Sequence, residues 1–367
     1  MAYSVTQTQF QSRRSVCHYG ELCDDDKVVL SWVYDCGKKA FVKQIPNNRD
    51  LDFVFVSHLD ADHVNSIVDL KIGKNTQICI PYIPASLFLL LIILYSGRYS
   101  SQGLSFIHGV YISLRNRWRE RRDTDNDIDI PDGFFENYFA DLIFKSEAVY
   151  VDNISVVSSE SSQISLNAFI PWEFLVSSYI DPSFMTAISK LVNNICSSGI
   201  PLKDWLGSGL RKLKQQYKSI NYGVSSCYVN NIISMCVYAG PIDNNTDRNL
   251  KKSGWLHTGD SCFHLPNVLS YFLKVFKKYG SRTYVLSLPH HSSEKTNTTA
   301  VLSFLCSNFS RAAFVIPYST AVKHCCHRNY SCNCIYCTEN QDVSFVNGQT
   351  NAIQTAFPCS KRKCKIF

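Results

Sequence analysis

The stretch FVFVSHLDADHV, residues 53–64, constrains this chain more than any other part of it. Its first residues, 53–56, are apolar at every position, and strands that are apolar on both faces belong to sheets covered on both sides. The strand runs directly into four side chains that commonly bind metals: His58, Asp60, Asp62 and His63. A polar surface turn with an N-cap Asp would explain this cluster taken alone. The other interpretation is a metal site, because His nitrogen and carboxylate oxygen together suit Zn²⁺ or Mn²⁺.

The same transition from apolar strand to polar cluster occurs at two later places. GWLH is followed closely by Gly259 and Asp260, and RTYVLS is followed by His290 and His291. Strand ends converge at the edge of a sheet, where rigid elements hold side chains accurately. A surface turn does not explain all of these clusters, so the sequence predicts a metal site built from several strand ends.

The rest of the chain indicates an α/β protein with a single domain over 1–367. Strands and short helices alternate in the N-terminal part, which favours α/β layering. The apolar run 78–95 is interrupted by Pro81 and Pro84, so it predicts a strand, a turn and a buried helix that is too short to span a bilayer of about 30 Å. Residues of about 97–220 are expected to form a largely helical insertion, and about 321–367 form a Cys-rich C-terminal segment.

Charge and cysteine content restrict the partners and the compartment only loosely. The formal net charge of +7 permits an anionic partner without requiring one. The run RNRWRERR, residues 115–122, suits a nucleic-acid backbone or, equally simply, a solvated helix face beside the acidic stretch that follows. The N-terminus lacks an apolar signal region, so 16 cysteines favour a cytoplasmic protein with reduced thiols over a disulfide scaffold, with no clear membrane segment.

The segment KHCCHRNYSCNCIYC, residues 323–337, leaves two interpretations open. Its Cys spacings suit a structural zinc site, but no clean pair of C-x₂-C knuckles is present, so reduced and partly buried thiols are the alternative. This segment also contains His324 and His327.

Several of these motifs together resemble the metallo-β-lactamase superfamily. SHLDADHV is similar to its signature loop in the H-x-D-x-D-H variant, VYDCG to the Asp–Gly turn after an early strand, and LHTGD to the strand whose Asp bridges two metals. LPHHSS resembles the PHHGS segment of the nuclease-like domain in bacterial DNA-uptake competence proteins, and VNNIISMCVYAG resembles the N-x-x-S strand of that group. The matching pieces occur in the expected order, over roughly 28–75 and 223–320.

The resemblance implies a four-layer αββα sandwich with one or two Zn or Mn ions at one edge of the sheets. Carried over by position, one metal would be bound by Asp62, His63 and a His from 290–291, and the other by His58 and Asp60. Asp260 would bridge the two metals, and Asp35 would orient a ligand by a hydrogen bond.

Two departures from the superfamily pattern bear on the metal. Asp60 stands where many relatives have His, which favours a site richer in oxygen and hence Mn²⁺. The chain shows no obvious counterpart of the superfamily's middle His, since His108 is the only His between His63 and His257.

The function implied by the resemblance is a metal-dependent hydrolase that uses a metal-activated water. Asp62 or Asp60 would orient the water, and His327, or else His324, would serve as a general acid or phosphate contact. The expected substrates are phosphodiesters in a nucleic acid or nucleotide. Two alternatives remain: hydrolysis of a small ester, lactone or lactam at the same site, and a degenerate fold acting as a regulatory or binding module.

Overall fold

The computed structural model describes part of the chain, in the following ranges: 3–12, 15–121, 151–157, 161–164, 166, 170–200, 204, 231, 233–243, 250, 253–290, 296–310, 312–316, 335–337 and 343–346. The predictions for His291, His324 and His327 lie outside these residues, as does most of the Cys-rich segment.

Within the described residues the chain forms two seven-stranded sheets. The first has the order β14-β1-β2-β3-β4-β5-β6, with strands β1 Tyr3–Ser12, β2 Ser15–Asp24, β3 Lys27–Cys36, β4 Phe53–Phe55, β5 Gln77–Pro81, β6 Ile154–Val157 and β14 Val343–Val346. The second has the order β13-β12-β11-β10-β9-β8-β7, with β7 Ser162–Ile164, β8 Trp172–Ser177, β9 Cys236–Pro241, β10 Gly254–His257, β11 Thr283–Ser287, β12 Ala313–Ile316 and β13 Ile335–Cys337.

Helices cover the outer faces of both sheets. The described α-helices are α1 Lys39–Val42, α2 Ala61–Val64, α3 Ala85–Tyr95, α4 Ser101–Arg121, α5 Pro182–Ser197, α6 Pro266–Phe276 and α7 Thr299–Asn308. Every residue of α3 is buried, because α4 and α5 pack around it, which explains why its sequence is apolar apart from Ser86. Among the described helices none is both long and apolar enough to cross a membrane.

Separate hydrophobic cores define four layers. Val54 of β4 faces outward, into a core shared with helices α3, α4 and α5. Its neighbours Phe53 and Phe55 face inward, where they pack against Phe174 of the second sheet. The outer face of the second sheet is covered by α6 and α7. The predicted αββα sandwich is therefore confirmed, and so is the prediction that the strand before His58 is buried on both faces.

The two sheets share one pattern of strand direction. In each sheet, antiparallel pairing on one side changes to parallel pairing on the other, through β3-β4-β5-β6 in the first and β10-β11-β12-β13 in the second. The carboxyl ends of parallel strands lie at one edge of a sheet. Asp35, His58, Asp260 and His290 follow or end strands of these parallel halves, which brings them to the same region of the sandwich.

The middle of the chain contains more strand than the sequence analysis expects. Among the described residues between 97 and 220, α4 and α5 are helical, and β6, β7 and β8 belong to the two sheets. Their segments are only three to six residues long, so the local sequence pattern is weak. β6 pairs with β5, β7 with β8 and β8 with β9, and this pairing determines their conformation. Strands β1 and β2 likewise go beyond what the sequence pattern predicts.

Candidate metal centre

Three side chains, His58, His63 and Asp260, place potential ligand atoms within 4.8 Å of one another. Asp260 Oδ2 lies 4.0 Å from His58 Nε2, and Asp260 Oδ1 lies 3.9 Å from His63 Nε2. These separations are longer than hydrogen bonds. Two ligands at about 2.1 Å from one tetrahedral metal would be about 3.4 Å apart, so the group needs only a small contraction to hold a cation.

Burying the His58 imidazole costs free energy unless its ring nitrogens have partners. The side chain is fully buried, and its Nε2 atom has no hydrogen-bond partner in the described part of the chain. Buried polar atoms are nearly always satisfied, so an orphan of this kind calls for a ligand. His63 and Asp260 are also buried, at 2% and 6% exposure. The residues present therefore fit a divalent cation.

Asp35 connects the two histidines on the side away from Asp260. Its carboxylate accepts hydrogen bonds from the Ser57 N–H at 2.7 Å, from the Ser57 hydroxyl at 2.7 Å and from His63 Nδ1 at 2.8 Å. Its backbone φ is 56°, a left-handed conformation that Asp and Asn tolerate better than most residues. The structure thus places Asp35 against His63, as the sequence analysis expects of a residue that orients a ligand.

This hydrogen-bond network determines the tautomer of both imidazoles. Since a carboxylate only accepts, the Ser57 hydroxyl donates its proton to Asp35, and its oxygen must accept from His58 Nδ1 at 2.8 Å. His63 Nδ1 likewise donates to Asp35. Both rings therefore carry a proton on Nδ1, which leaves Nε2 as the atom that can bind a metal.

The electrostatic field of the group is negative. Burial by itself opposes the charged form of His63, but Asp35 by charge and hydrogen bond, and then Asp260 and Asp62, raise the pKa of His63 to about 10. The carboxylates around the ring therefore favour a proton at His63 Nε2. The same carboxylates that favour this proton favour a cation in its place.

Asp60 and Asp62 lie beside the three-residue group rather than in it. Asp60 is the N-cap residue of α2, but its side chain makes no capping hydrogen bond, contrary to the simple surface-turn interpretation. Its Oδ2 lies 3.6 Å from His58 Nε2, and its side chain is 18% exposed. Asp62 is half-buried on α2 and acts on His63 through its charge.

Two glycines allow the loops of the site to approach closely. Gly259 has φ 51°, and a Cβ there would collide with the Ser234 hydroxyl, which accepts a 2.9 Å hydrogen bond from the Asp260 N–H. A Cβ at Gly37 would collide with the backbone oxygen of Asp62. The turn after β3 and the turn after β10 therefore both require glycine to position the carboxylates that follow or face them.

His290 lies near the group and not within it, among the described residues. Its φ is 52°, its N–H donates to the Gly259 carbonyl at 3.1 Å, and its Nδ1 is 2.9 Å from Asn231 Nδ2. His257 faces the space between the sheets, as expected of a strand side chain, and His108 stacks on Tyr111 within α4. The assignment of His290 as a metal ligand stays a prediction.

The sequence pattern did not predict the roles of Ser57 and Asn231. Ser57 directly precedes His58, and the one clue to its role in the sequence is a hydroxyl at the end of an apolar run. Asn231 and Ser234 are the polar residues of the N-x-x-S pattern, which the resemblance identified without assigning them a role.

Comparison with known proteins adds little to this description. No family model matches the chain, and no curated protein matches it. A solved structure that aligns with it is the first crystal structure of an archaeal metallo-β-lactamase superfamily protein, ST1585 from Sulfolobus tokodaii, at 11% identity and a TM-score of 0.26. The alignment covers 70% of this chain and 63% of that chain. A likeness this weak carries no argument about function, which depends on the geometry above.

Proposed function

We propose that this protein is a metal-dependent hydrolase whose primary metal ligands are His58, His63 and Asp260. The observation that carries the proposal is the arrangement of the two imidazoles. Both are buried, and the Asp35–Ser57 network holds both in the Nδ1–H tautomer. In each ring Nε2 is therefore the atom that can bind a metal, and it lies within 4.0 Å of an Asp260 oxygen. A network of buried polar groups arranged this way supports a ligand role better than a purely structural one.

The residues around the group would support hydrolysis. A divalent cation supplies Lewis acidity and lowers the pKa of a water molecule. Asp60 is partly exposed and lies beside His58, so its carboxylate would accept a hydrogen bond from a nucleophilic water and hold it in position. Asp62 would add negative charge that strengthens cation binding.

We propose phosphodiesters as the substrate class. Support comes from the resemblance of LPHHSS and the N-x-x-S strand to nuclease-like proteins, and from a net charge of +7 on the chain. The acidic site would repel a phosphodiester in the absence of a cation, so binding of this substrate should depend strongly on the metal. Basic residues elsewhere on the surface would offset the charge of a nucleic acid.

The test is an activity assay with matched metal states. Purified protein is treated with chelator, reloaded with Zn²⁺ or Mn²⁺, and assayed on bis(p-nitrophenyl) phosphate, plasmid DNA, RNA, and simple ester and lactone substrates. We expect phosphodiester cleavage only in the reloaded protein. His58→Ala should reduce the rate by more than the roughly 10–100-fold typical of residues that only support a ligand.

His108→Gln is the matched control, since this histidine stacks on Tyr111 and is not one of the three proposed ligands. Turnover of lactones or esters alone would refute the phosphodiester preference and retain the hydrolase. A reloaded protein that binds metal and turns over none of these substrates would favour a regulatory or binding module.

A further inference from the structure

Asn231 is the residue that contacts His290 beside the candidate metal centre. It is 2% exposed, and its Nδ2 lies 2.9 Å from His290 Nδ1. An amide nitrogen only donates hydrogen bonds, so His290 Nδ1 must be the acceptor in this arrangement. An imidazole that accepts at Nδ1 carries its proton on Nε2. This is the opposite tautomer to that of His58 and His63.

The orientation of the Asn231 amide decides this assignment. If its oxygen and nitrogen exchanged places, His290 would carry the proton on Nδ1 instead. The groups on the side of the amide opposite His290 therefore bear on its orientation. Asn231 Oδ1 is buried and has no hydrogen-bond partner among the residues that the structure describes, and the same holds for the hydroxyls of Ser177 and Ser178.

The three residues that carry these atoms line one small cavity. It has a volume of about 20 Å³, and its polar lining includes Ser177, Ser178 and Asn231. A volume of about 10–15 Å³ is enough for one water molecule, provided that it finds two or more polar partners. A water in this cavity can donate to Asn231 Oδ1 and exchange hydrogen bonds with the two serine hydroxyls, which would satisfy all of the orphans.

We propose that Asn231, held by a buried water shared with Ser177 and Ser178, is a positioning residue that fixes His290 as the Nε2–H tautomer. In this form Nε2 is a hydrogen-bond donor. It suits contact with the anionic oxygen of a substrate or delivery of a proton to a leaving group, and it does not suit metal ligation through Nε2. The catalytic consequence depends on the function proposed above, whereas the tautomer itself does not.

The experiment is nitrogen NMR on protein with ¹⁵N-labelled histidine at pH 8, with His290 assigned by its loss in His290→Gln. We expect the wild-type His290 signals to show the Nε2–H tautomer. Asn231→Asp, which offers only acceptors to Nδ1, should convert His290 to the Nδ1–H tautomer. Asn231→Leu should leave a mixture. Asn267→Leu, an exposed asparagine on α6 that contacts Asp181, is the matched control and should change nothing.

The proposal is overturned if wild-type His290 is in the Nδ1–H form. It is also overturned if the His290 tautomer is the same in wild type, in Asn231→Asp and in Asn231→Leu. If phosphodiesters are cleaved, Asn231→Asp should lower kcat by about tenfold or more with unchanged metal content. A lower metal content instead would assign His290 to the metal and contradict the inference. If no substrate is cleaved, the NMR result still decides the tautomer, so the two proposals fail independently.

Discussion

At the scale of single residues, Asp35 is the side chain on which the candidate metal centre depends most. Three hydrogen bonds end on its carboxylate, and together they orient His63 directly and His58 through Ser57. The sequence predicted an orienting role for Asp35 from the turn VYDCG, and candidate ligands from their positions after strands. It could not identify Ser57, because a hydroxyl gains its role only when folding brings residues of β3 and the loop after β4 together.

Asp35→Asn should weaken metal binding by about 10–100-fold, as is typical when a residue that orients a ligand is changed. Asn tolerates the left-handed backbone, but its single amide oxygen cannot replace both Asp35 Oδ1, which accepts from the Ser57 N–H, and Oδ2, which accepts from the Ser57 hydroxyl and His63 Nδ1. Titration calorimetry with Zn²⁺ measures the effect. Asp26→Asn is a matched control, because Asp26 also has a positive φ, 66°, and is exposed in the β2–β3 turn. Equal affinities in the two variants would contradict the role of Asp35.

At the scale of elements, the contact between β2 and β10 contains a second pair of histidines that the metal centre does not use. His18 and His257 lie with ring centroids 4.1 Å apart, packed against Trp255 and Tyr34. Burial lowers the pKa of His257 to about 3, and burial followed by the neighbouring His257 lowers the pKa of His18 well below its ordinary value. Sequence pattern predicts β10 as a strand, but not which face meets β2, since that depends on how the sheets pack.

The free energy of unfolding should therefore depend on pH through this pair. Both rings are neutral in the folded protein, whereas the unfolded chain takes up protons near pH 6.5. The stability that comes from neutral His257 is fully present above about pH 6.5 and is lost as the pH falls toward about 3. At pH 5 the loss from His257 alone is on the order of 2 kcal/mol relative to pH 7.5.

His257→Phe keeps an aromatic ring between the sheets and removes the titration. Urea unfolding at pH 7.5 and pH 5, with chelator present throughout, should show a smaller loss of stability in this variant than in wild type. Identical losses in the two proteins would show that His257 titrates normally in the fold.

At the scale of the whole molecule, the candidate metal centre exists because two similar sheets bring their parallel halves to one edge. His58 and His63 follow β4 of the first sheet, and Asp260 follows β10 of the second. The order of motifs along the chain predicted the sandwich, which the structure confirms, and a set of candidate ligands, which stays a prediction. It could not predict which of those residues meet, because their distances depend on the packing of two sheets whose strands are about 200 residues apart in sequence.

The most direct test of the central claim is the content of divalent metal in purified protein. Wild type should retain one more divalent ion per chain after dialysis than a double variant, His63→Ala with Asp260→Ala. Any zinc held by the Cys-rich segment would be present in both proteins and would not affect the difference. His108→Gln should match wild type. If the folded double variant, checked by circular dichroism, retains as much metal as wild type, then His58, His63 and Asp260 do not form a metal site.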